Sequence, residues 1–165
     1  MAVKNSKNKG NTFERKISNL LSARFESITG IKQAFRRNPD SGSFFGGSNQ
    51  KRIETHNMEN ATLGDINCPS NFKYSVECKH YKKPPLFSHI LTQNCREWDG
   101  WIQQAEQDSA NTNKKLLIII KYNNVEELVL VKEEVPGSAV IVYKGYFVVP
   151  LKQFLALPDT DFFEV

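Results

Sequence analysis

The chain has 165 residues, of which 39% are hydrophobic and 24% are charged, and these values are ordinary for one globular domain. There is no apolar run long enough to cross a bilayer, no apolar core of a secretion signal, and no Cys-x-x-Cys pair among three cysteines. We therefore expect a cytoplasmic protein with reduced thiols, no membrane association and, because the three histidines are scattered, no zinc site.

The net charge of +4 is unevenly distributed along the chain. Residues 1–83 contain 15 Lys and Arg against 7 Asp and Glu, whereas residues 84–165 contain 7 against 11. A positive field over the first half favours a polyanionic partner. The lysines at positions 4, 7 and 9 could alternatively serve only to keep a disordered tail in solution.

The chain is predicted to begin with a flexible basic arm over residues 1–10, followed by a single domain over residues 11–165. Apolar residues at helical spacing predict a first helix from about Asn11 to Gly30. Glu14 lies at the edge of its apolar stripe, where a carboxylate can lean toward a sheet. Asn11 as N-cap with Glu14 at the third helical position would also form a capping box, and one residue could do both.

Residues 34–64 form a stretch rich in glycine and turn residues, which is long for a loop in a compact domain. Its arginines can fork onto phosphates. Phe44 and Phe45 could stack on a base or could anchor the loop. The basic residues of this stretch are Arg36, Arg37, Lys51 and Arg52.

The stretch from Asp65 to Lys79 is predicted to be a β-hairpin with its turn near Ser70. Strand alternation places Glu77 and Lys79 on one face. If Asp65 meets Glu77 across the hairpin, two carboxylates and a backbone carbonyl would form an oxygen-rich site for Mg²⁺ or Mn²⁺. Such a site suits phosphodiester hydrolysis. Taken alone the motif is weak, because Glu-x-Lys pairs are also common on solvated strands.

The remaining chain alternates helical and strand patterns. A basic segment with two prolines follows Lys79, and then come an amphipathic helix over about 98–108 and a buried strand over 116–122. A strand over 127–131, a hairpin around Lys144-Gly145, a short helix after Pro150 and an acidic, peripheral tail from Pro158 complete the prediction. This order predicts an α/β domain with a central mixed β-sheet flanked by helices.

Several of these motifs, in this order, resemble those of the PD-(D/E)xK nuclease superfamily. They are Glu14 on the first helix, Gly64-Asp65 opening a strand, with glycine in place of the usual proline, and the sequence from Glu77 to Lys79. The resemblance is closest to archaeal and phage Holliday-junction resolvases and covers roughly residues 10–122. The further matching motifs are Gly10–Arg15, Arg37–Ser43 and Gln104–Glu106.

The resemblance implies a restriction-endonuclease-like core and a Mg²⁺-dependent endonuclease in which Mn²⁺ can substitute. Asp65, Glu77 and the backbone carbonyl of Cys78 would bind the metal, and Glu14 would contribute directly or through water. Lys79 would position the attacking water or stabilise the transition state. Ser41 would touch the scissile phosphate or help to order the site. The residues expected to contact DNA are Arg36, Arg37, Ser43, Lys51, Arg52, Lys82, Lys83 and Gln104.

The resemblance also implies a branched DNA substrate, a four-way junction, and a homodimer that cuts two strands symmetrically. A phage-encoded protein of this kind would act in the host cytoplasm. Two alternatives stay open at this point. One is a restriction or repair nuclease of the same superfamily that acts on other DNA, since one fold serves many substrates. The other is a DNA-binding module without catalysis, whose carboxylates only complete ion pairs.

Overall fold

The structure is a computed structural model that describes residues 2–39, 64–138 and 141–165. Its helices are α1 (Ala2–Arg24), α2 (Glu26–Thr29), α3 (Phe87–Leu91), α4 (Arg96–Ser109), α5 (Leu151–Leu155) and α6 (Asp159–Phe162). Its strands are β1 (Arg36–Arg37), β2 (Ile66–Asn67), β3 (Tyr74–Tyr81), β4 (Lys115–Tyr122), β5 (Leu128–Val131), β6 (Ile141–Tyr143) and β7 (Tyr146–Pro150). Within these ranges no helix has the length and apolarity needed to span a membrane.

The central sheet has five strands in the order β3-β4-β5-β7-β6. β3 and β4 are parallel, and the other neighbours are antiparallel, so the sheet is mixed as predicted. β3 is an edge strand of this sheet. The predicted hairpin around Lys144-Gly145 is confirmed, with both turn residues at positive φ, as a tight two-residue turn requires.

Helices cover both faces of the sheet. On one face, α1, α5 and α6 pack against alternate residues of β4, including Leu117 and Ile119. On the other face, α4 packs Trp98 and Trp101 against a second core that contains Ile118. The uninterrupted apolar run of β4 follows from this burial on both sides. The predicted α/β fold with a helix-flanked mixed sheet is therefore confirmed.

The first helix is longer than the sequence pattern indicated. α1 begins at Ala2, not near Asn11, so residues 2–10, predicted to form an arm, belong to the helix. Lysine favours helices, and Gly10 alone interrupts this basic segment without ending the helix. Asn11 therefore lies inside α1 and is not its N-cap, so the predicted capping box with Glu14 is wrong.

The predicted hairpin between Asp65 and Lys79 is also wrong in its pairing. β2 pairs with β1, and β3 forms an eight-residue parallel ladder with β4. The Asp65 segment joins β3 through a hydrogen bond from the Asp65 N–H to the Val76 carbonyl (2.8 Å). β4 is longer than the two-residue strand β2 and is buried over most of its length, so pairing with β4 buries more of β3.

The C-terminal tail is part of the core, which corrects the prediction that it is peripheral. Phe162 and Phe163 are buried, and Phe162 packs against Phe25 (4.9 Å between ring centroids) and Phe154 (5.2 Å). The Phe162 carbonyl accepts a hydrogen bond from the backbone N–H of Lys73 (2.7 Å). The acidic residues around this aromatic pair concealed its role in the sequence.

We predict that Phe162→Ala lowers the free energy of unfolding by about 3–5 kcal/mol, because a fully buried aromatic ring is lost from a packed cluster. Val165→Ala is the matched control, since Val165 is fully exposed three residues further on, and its effect should stay within about 0.5 kcal/mol. Urea denaturation followed by circular dichroism measures both values. Equal stability of the two variants would show that the tail is not part of the core.

Candidate active site

The candidate site lies on the edge strand β3. Val76 belongs to the core on the α1 face, and Glu77 and Lys79 project to the α4 face, as strand alternation predicted. The Glu77 side chain is buried, and the Lys79 Nζ atom lies 3.9 Å from its Oε2 atom. The strand therefore presents one carboxylate and one ammonium group side by side at the rim of the sheet.

Asp65 is held against the free edge of β3 by two hydrogen bonds. Its N–H donates to the Val76 carbonyl (2.8 Å), and its Oδ2 atom accepts from the N–H of Cys78 (2.7 Å). These bonds place the Asp65 carboxylate next to that of Glu77, close enough for the two groups to share a proton. The meeting of Asp65 and Glu77 expected from the sequence thus occurs without the hairpin ladder.

Gly64 allows this approach. Its φ is +74°, and a Cβ atom at this position would lie 2.4 Å from the Val76 carbonyl oxygen. Only glycine combines this conformation with so close a contact. A proline would hold φ near −65° and could not adopt this backbone. The glycine in place of the superfamily's usual proline therefore follows from how the chain meets β3.

The electrostatics of the Asp65–Glu77 pair favour a bound cation. Burial and, next in size, the neighbouring charge of Asp65 together raise the pKa of Glu77 to about 8, although Lys79 opposes the shift. Two carboxylates in contact cannot both ionise easily in a buried place. A divalent cation between them would compensate both charges, which is the usual solution for buried carboxylates.

Glu14 belongs to the same electrostatic neighbourhood but has a partner of its own. Its pKa is raised by burial and by the charge of Asp65, and lowered by Arg37 and Lys79. The Arg37 Nε atom donates to Glu14 Oε2 (2.6 Å), and its Nη2 atom donates to Asn11 Oδ1 (2.7 Å). Arg37, which was expected to contact DNA, therefore binds two side chains of α1.

The donor set suits a hard divalent ion. Within the described ranges, no group of three or more His, Cys, Asp or Glu side chains is arranged to hold a metal. The available donors are the carboxylates of Asp65 and Glu77 and the Cys78 carbonyl, which points to the same strand edge as the Cys78 N–H that binds Asp65. Mg²⁺ is commonly held by one or two carboxylates and keeps several waters, so these residues fit it.

The other residues expected to contact DNA do not join this cluster. Ser41, Ser43, Lys51 and Arg52 lie outside the described residues. Four further residues are exposed, and none of the described hydrogen bonds connects them to the Asp65–Glu77 pair. These four are Arg36, Lys82, Lys83 and Gln104.

Sequence reasoning missed Asp108, which lies near the end of α4. Burial raises its pKa, the charge of Lys79 lowers it and the charge of Asp65 raises it, so it lies within electrostatic range of the site. Asp108 follows Gln104 by four residues and therefore shares its helix face. That spacing was the signal in the sequence that could have identified it.

We predict that Gly64→Ala lowers the free energy of unfolding by at least about 1–2 kcal/mol, because an L-residue is strained at this φ and its Cβ meets the Val76 carbonyl. Gly100→Ala is the control, since it has open space within α4, and it should stabilise the protein by about 0.5–1 kcal/mol. Chemical denaturation distinguishes them. A stabilising effect at both positions would contradict the close approach of Gly64 to β3.

We predict that Glu77→Gln stabilises the metal-free protein at pH 8. The pKa of Glu77 is raised in the folded state from 4.5 to about 8, so the folded protein binds this proton more tightly than the unfolded chain. The contribution of Glu77 to stability is then fully present below pH 4.5 and is lost as the pH rises toward 8. Glu77→Gln cannot ionise, so it does not lose this free energy of unfolding. Each kcal/mol retained raises Tm by about 2–4 °C.

The measurement is thermal unfolding in EDTA from pH 5 to pH 8, with Glu126→Gln, at an exposed glutamate, as control. Adding Mg²⁺ at pH 8 should raise the Tm of the wild type and leave that of Glu77→Gln nearly unchanged. A Glu77→Gln variant that melts below the wild type at pH 8 in EDTA would show that this carboxylate stabilises the metal-free fold.

Comparison with known proteins assigns the chain to a family. The family model described as "Phage putative PDDEXK endonuclease" matches residues 5–153. No curated protein and no solved structure gives a significant match to the chain. The matched span covers most of the sequence, including most of α1, the candidate site on β3 and the whole central sheet. The chain therefore belongs to this PDDEXK endonuclease family.

Proposed function

We propose that this protein is a Mg²⁺-dependent DNA endonuclease that hydrolyses phosphodiester bonds in branched DNA, most of all in four-way junctions, with Mn²⁺ able to replace Mg²⁺. The observation that carries the proposal is the contact between the Asp65 and Glu77 carboxylates, with the Lys79 ammonium group 3.9 Å from Glu77. These three groups supply anionic ligands and a cation at the rim of one strand.

Asp65, Glu77 and the Cys78 carbonyl would hold the metal ion. When bound, such an ion polarises a phosphate oxygen and lowers the pKa of a coordinated water. Lys79 carries three N–H donors and no acceptor, so it binds a phosphate oxygen or the attacking water and offsets negative charge that develops in the transition state. Its ion pair with Glu77 holds the ammonium group in place before the substrate arrives.

Glu14 and Arg37 act next to this centre. Their ion pair fixes the Glu14 carboxylate on α1, within electrostatic range of Asp65 and Lys79. In this position Glu14 can accept a hydrogen bond from a water bound at the centre. Arg37 and Asn11 then orient that carboxylate, because the Arg37 guanidinium group donates one hydrogen bond to Glu14 and another to Asn11, both on α1.

The preference for branched DNA rests on the sequence resemblance. The matching segments Gly10–Arg15 and Arg37–Ser43 include Glu14 and Arg37, which form an ion pair here. Symmetric cutting of a junction requires two active sites, so the proposal includes a homodimer with a twofold axis. Arg36 in β1 is exposed, as are Lys82 and Lys83 directly after β3, and all three can bind backbone phosphates.

We predict that Asp65→Asn, Glu77→Gln and Lys79→Gln each lower the cleavage rate at least about a hundredfold, because each removes a group that acts on the reacting phosphate. DNA binding should change by only a few-fold, since most of the affinity comes from other phosphate contacts. The assay follows a labelled four-way junction with Mg²⁺, with Mn²⁺ and with EDTA. Glu126→Gln, at an exposed glutamate away from β3, is the control and should cut normally.

The same assay tests the substrate with a nicked duplex, a flap and a linear duplex of matched sequence. Paired symmetric nicks in the junction alone support the resolvase specificity, and sedimentation of the protein with the junction tests the dimer. Equal cutting of the linear duplex would retain the endonuclease and reject junction selectivity. Folded variants at Asp65 and Glu77 that cut at the wild-type rate would overturn the proposed site.

A further inference from the structure

A second charged feature lies on the α1 face of the sheet, opposite the face that carries Glu77 and Lys79. It is a cavity of about 480 Å³ between α1 and the C-terminal ends of β3 and β4. Three lysines line it, Lys9, Lys16 and Lys121, together with Thr12 and His80. We name it the lysine pocket.

The lysine pocket adjoins the candidate active site through two elements. On β3, Lys79 and His80 are consecutive residues, so their side chains lie on opposite faces of the same edge strand. His80 is paired with Lys121 in the β3–β4 ladder, which places both on the α1 face. On α1, the pocket residue Phe13 directly precedes Glu14. The pocket and the carboxylates thus lie on either side of one strand end.

The lysine pocket keeps a positive charge after its internal contacts are counted. Lys16 forms an ion pair with Glu127. Burial alone would raise the pKa of Glu127, but the Lys16 bond and the charge of Lys121 hold it below its usual value, so this glutamate is ionised. Lys121 donates to the Val125 carbonyl, which fixes its ammonium group without neutralising it. Glu127 offsets one lysine, and the charges of the other two remain to attract an anion.

The side chains that line the lysine pocket suit the binding of an anion such as a phosphate group. His80 packs edge-on against Phe13 (5.5 Å between ring centroids) and its Nδ1 atom is buried with no hydrogen-bond partner within the described part of the chain. No hydrogen bond among the described residues therefore fixes which ring nitrogen of His80 carries the proton. Lysines act as point charges toward phosphate, and the pocket presents them with the hydroxyl group of Thr12.

We propose that the lysine pocket binds a backbone phosphate of the same DNA strand that is cut, and so holds that strand where it crosses the end of β3. This inference rests on the proposed function and adds a second anchoring point on the opposite face of the sheet. Because the contact is to phosphate, it fixes the position of the strand and does not read its sequence. Lys9, Lys16 and Lys121 are thereby positioning residues, whereas Asp65, Glu77 and Lys79 carry the chemistry.

The test measures DNA affinity against salt concentration in the full-length Glu77→Gln protein without Mg²⁺, so that binding is separated from cleavage. The pocket variants are Lys9→Gln, Lys121→Gln and the two combined. The control is Lys115→Gln, at the opposite end of the same strand as Lys121, where the lysine pairs with Glu133. Fluorescence anisotropy with a labelled junction and a labelled duplex gives Kd at each salt concentration.

We predict that the combined variant lowers the slope of log K against log salt by about 0.9, the value for one lost phosphate contact, and weakens binding several-fold. Lys115→Gln should leave both quantities unchanged. Lys121→Gln also removes the bond to Val125, so circular dichroism checks its folding. Lys9→Gln, on an exposed part of α1, tests the pocket without that loss and should lower the affinity on its own.

A free phosphate ion has the same chemistry as a backbone phosphate of DNA. A further experiment distinguishes these two ligands. Inorganic phosphate at millimolar concentration should raise the Tm of the wild type no more than sulfate does, since the pocket is built for a strand that is also held elsewhere. A specific effect of phosphate, lost in the combined variant, would assign the pocket to the free ion and overturn the inference.

The possible outcomes distinguish failure of the lysine-pocket inference from failure of the proposed endonuclease function. An unchanged salt slope in the combined variant, with a wild type that cuts DNA, would overturn the lysine pocket and leave the endonuclease. A lowered slope with a wild type that never cuts under any metal would overturn the proposed catalysis and support the pocket as part of a DNA-binding surface.

Discussion

The candidate site depends on the pair of hydrogen bonds that attach Asp65 to the free edge of β3. An edge strand exposes unpaired N–H and C=O groups, and Asp65 satisfies the carbonyl of Val76 with its backbone and the N–H of Cys78 with its carboxylate. The same contacts cover the edge and bring a second carboxylate beside Glu77. The two hydrogen bonds that pair the edge of β3 thus also assemble the candidate site. This close approach requires glycine at position 64.

The buried carboxylates of this arrangement destabilise the fold locally, as charged groups at functional sites often do. Three carboxylates, those of Glu14, Asp65 and Glu77, are largely buried within each other's field. Arg37 neutralises part of the charge on Glu14, and Lys79 does the same for Glu77, so the two cations lie at the ends of the acidic group. Asp65 between them remains the natural place for a divalent ion. The balance of fixed charges therefore selects where the metal would bind.

The sequence allowed prediction of those features that depend on neighbouring residues. The apolar run of β4, the tryptophan helix α4 and the turn at Lys144 follow from local pattern, and all are present. The pairing of β3 with β4 and the burial of Phe162 depend on contacts between distant segments, and both were missed. The Glu77–Lys79 face followed from strand alternation. The Arg37–Glu14 ion pair could not be predicted in this way, because it joins two separate elements, α1 and β1.

The alternation of β3 gives the two charged features of this protein a common origin. Because side chains alternate, Glu77 and Lys79 face α4 while His80 faces α1 with Lys121. A shift of one residue in the β3–β4 ladder would move every one of these groups to the wrong face. Consecutive isoleucines of β4 enter different cores, Ile119 one and Ile118 and Ile120 the other, which fixes this register strongly. The buried apolar run of β4 therefore determines on which face each of the candidate functional side chains lies.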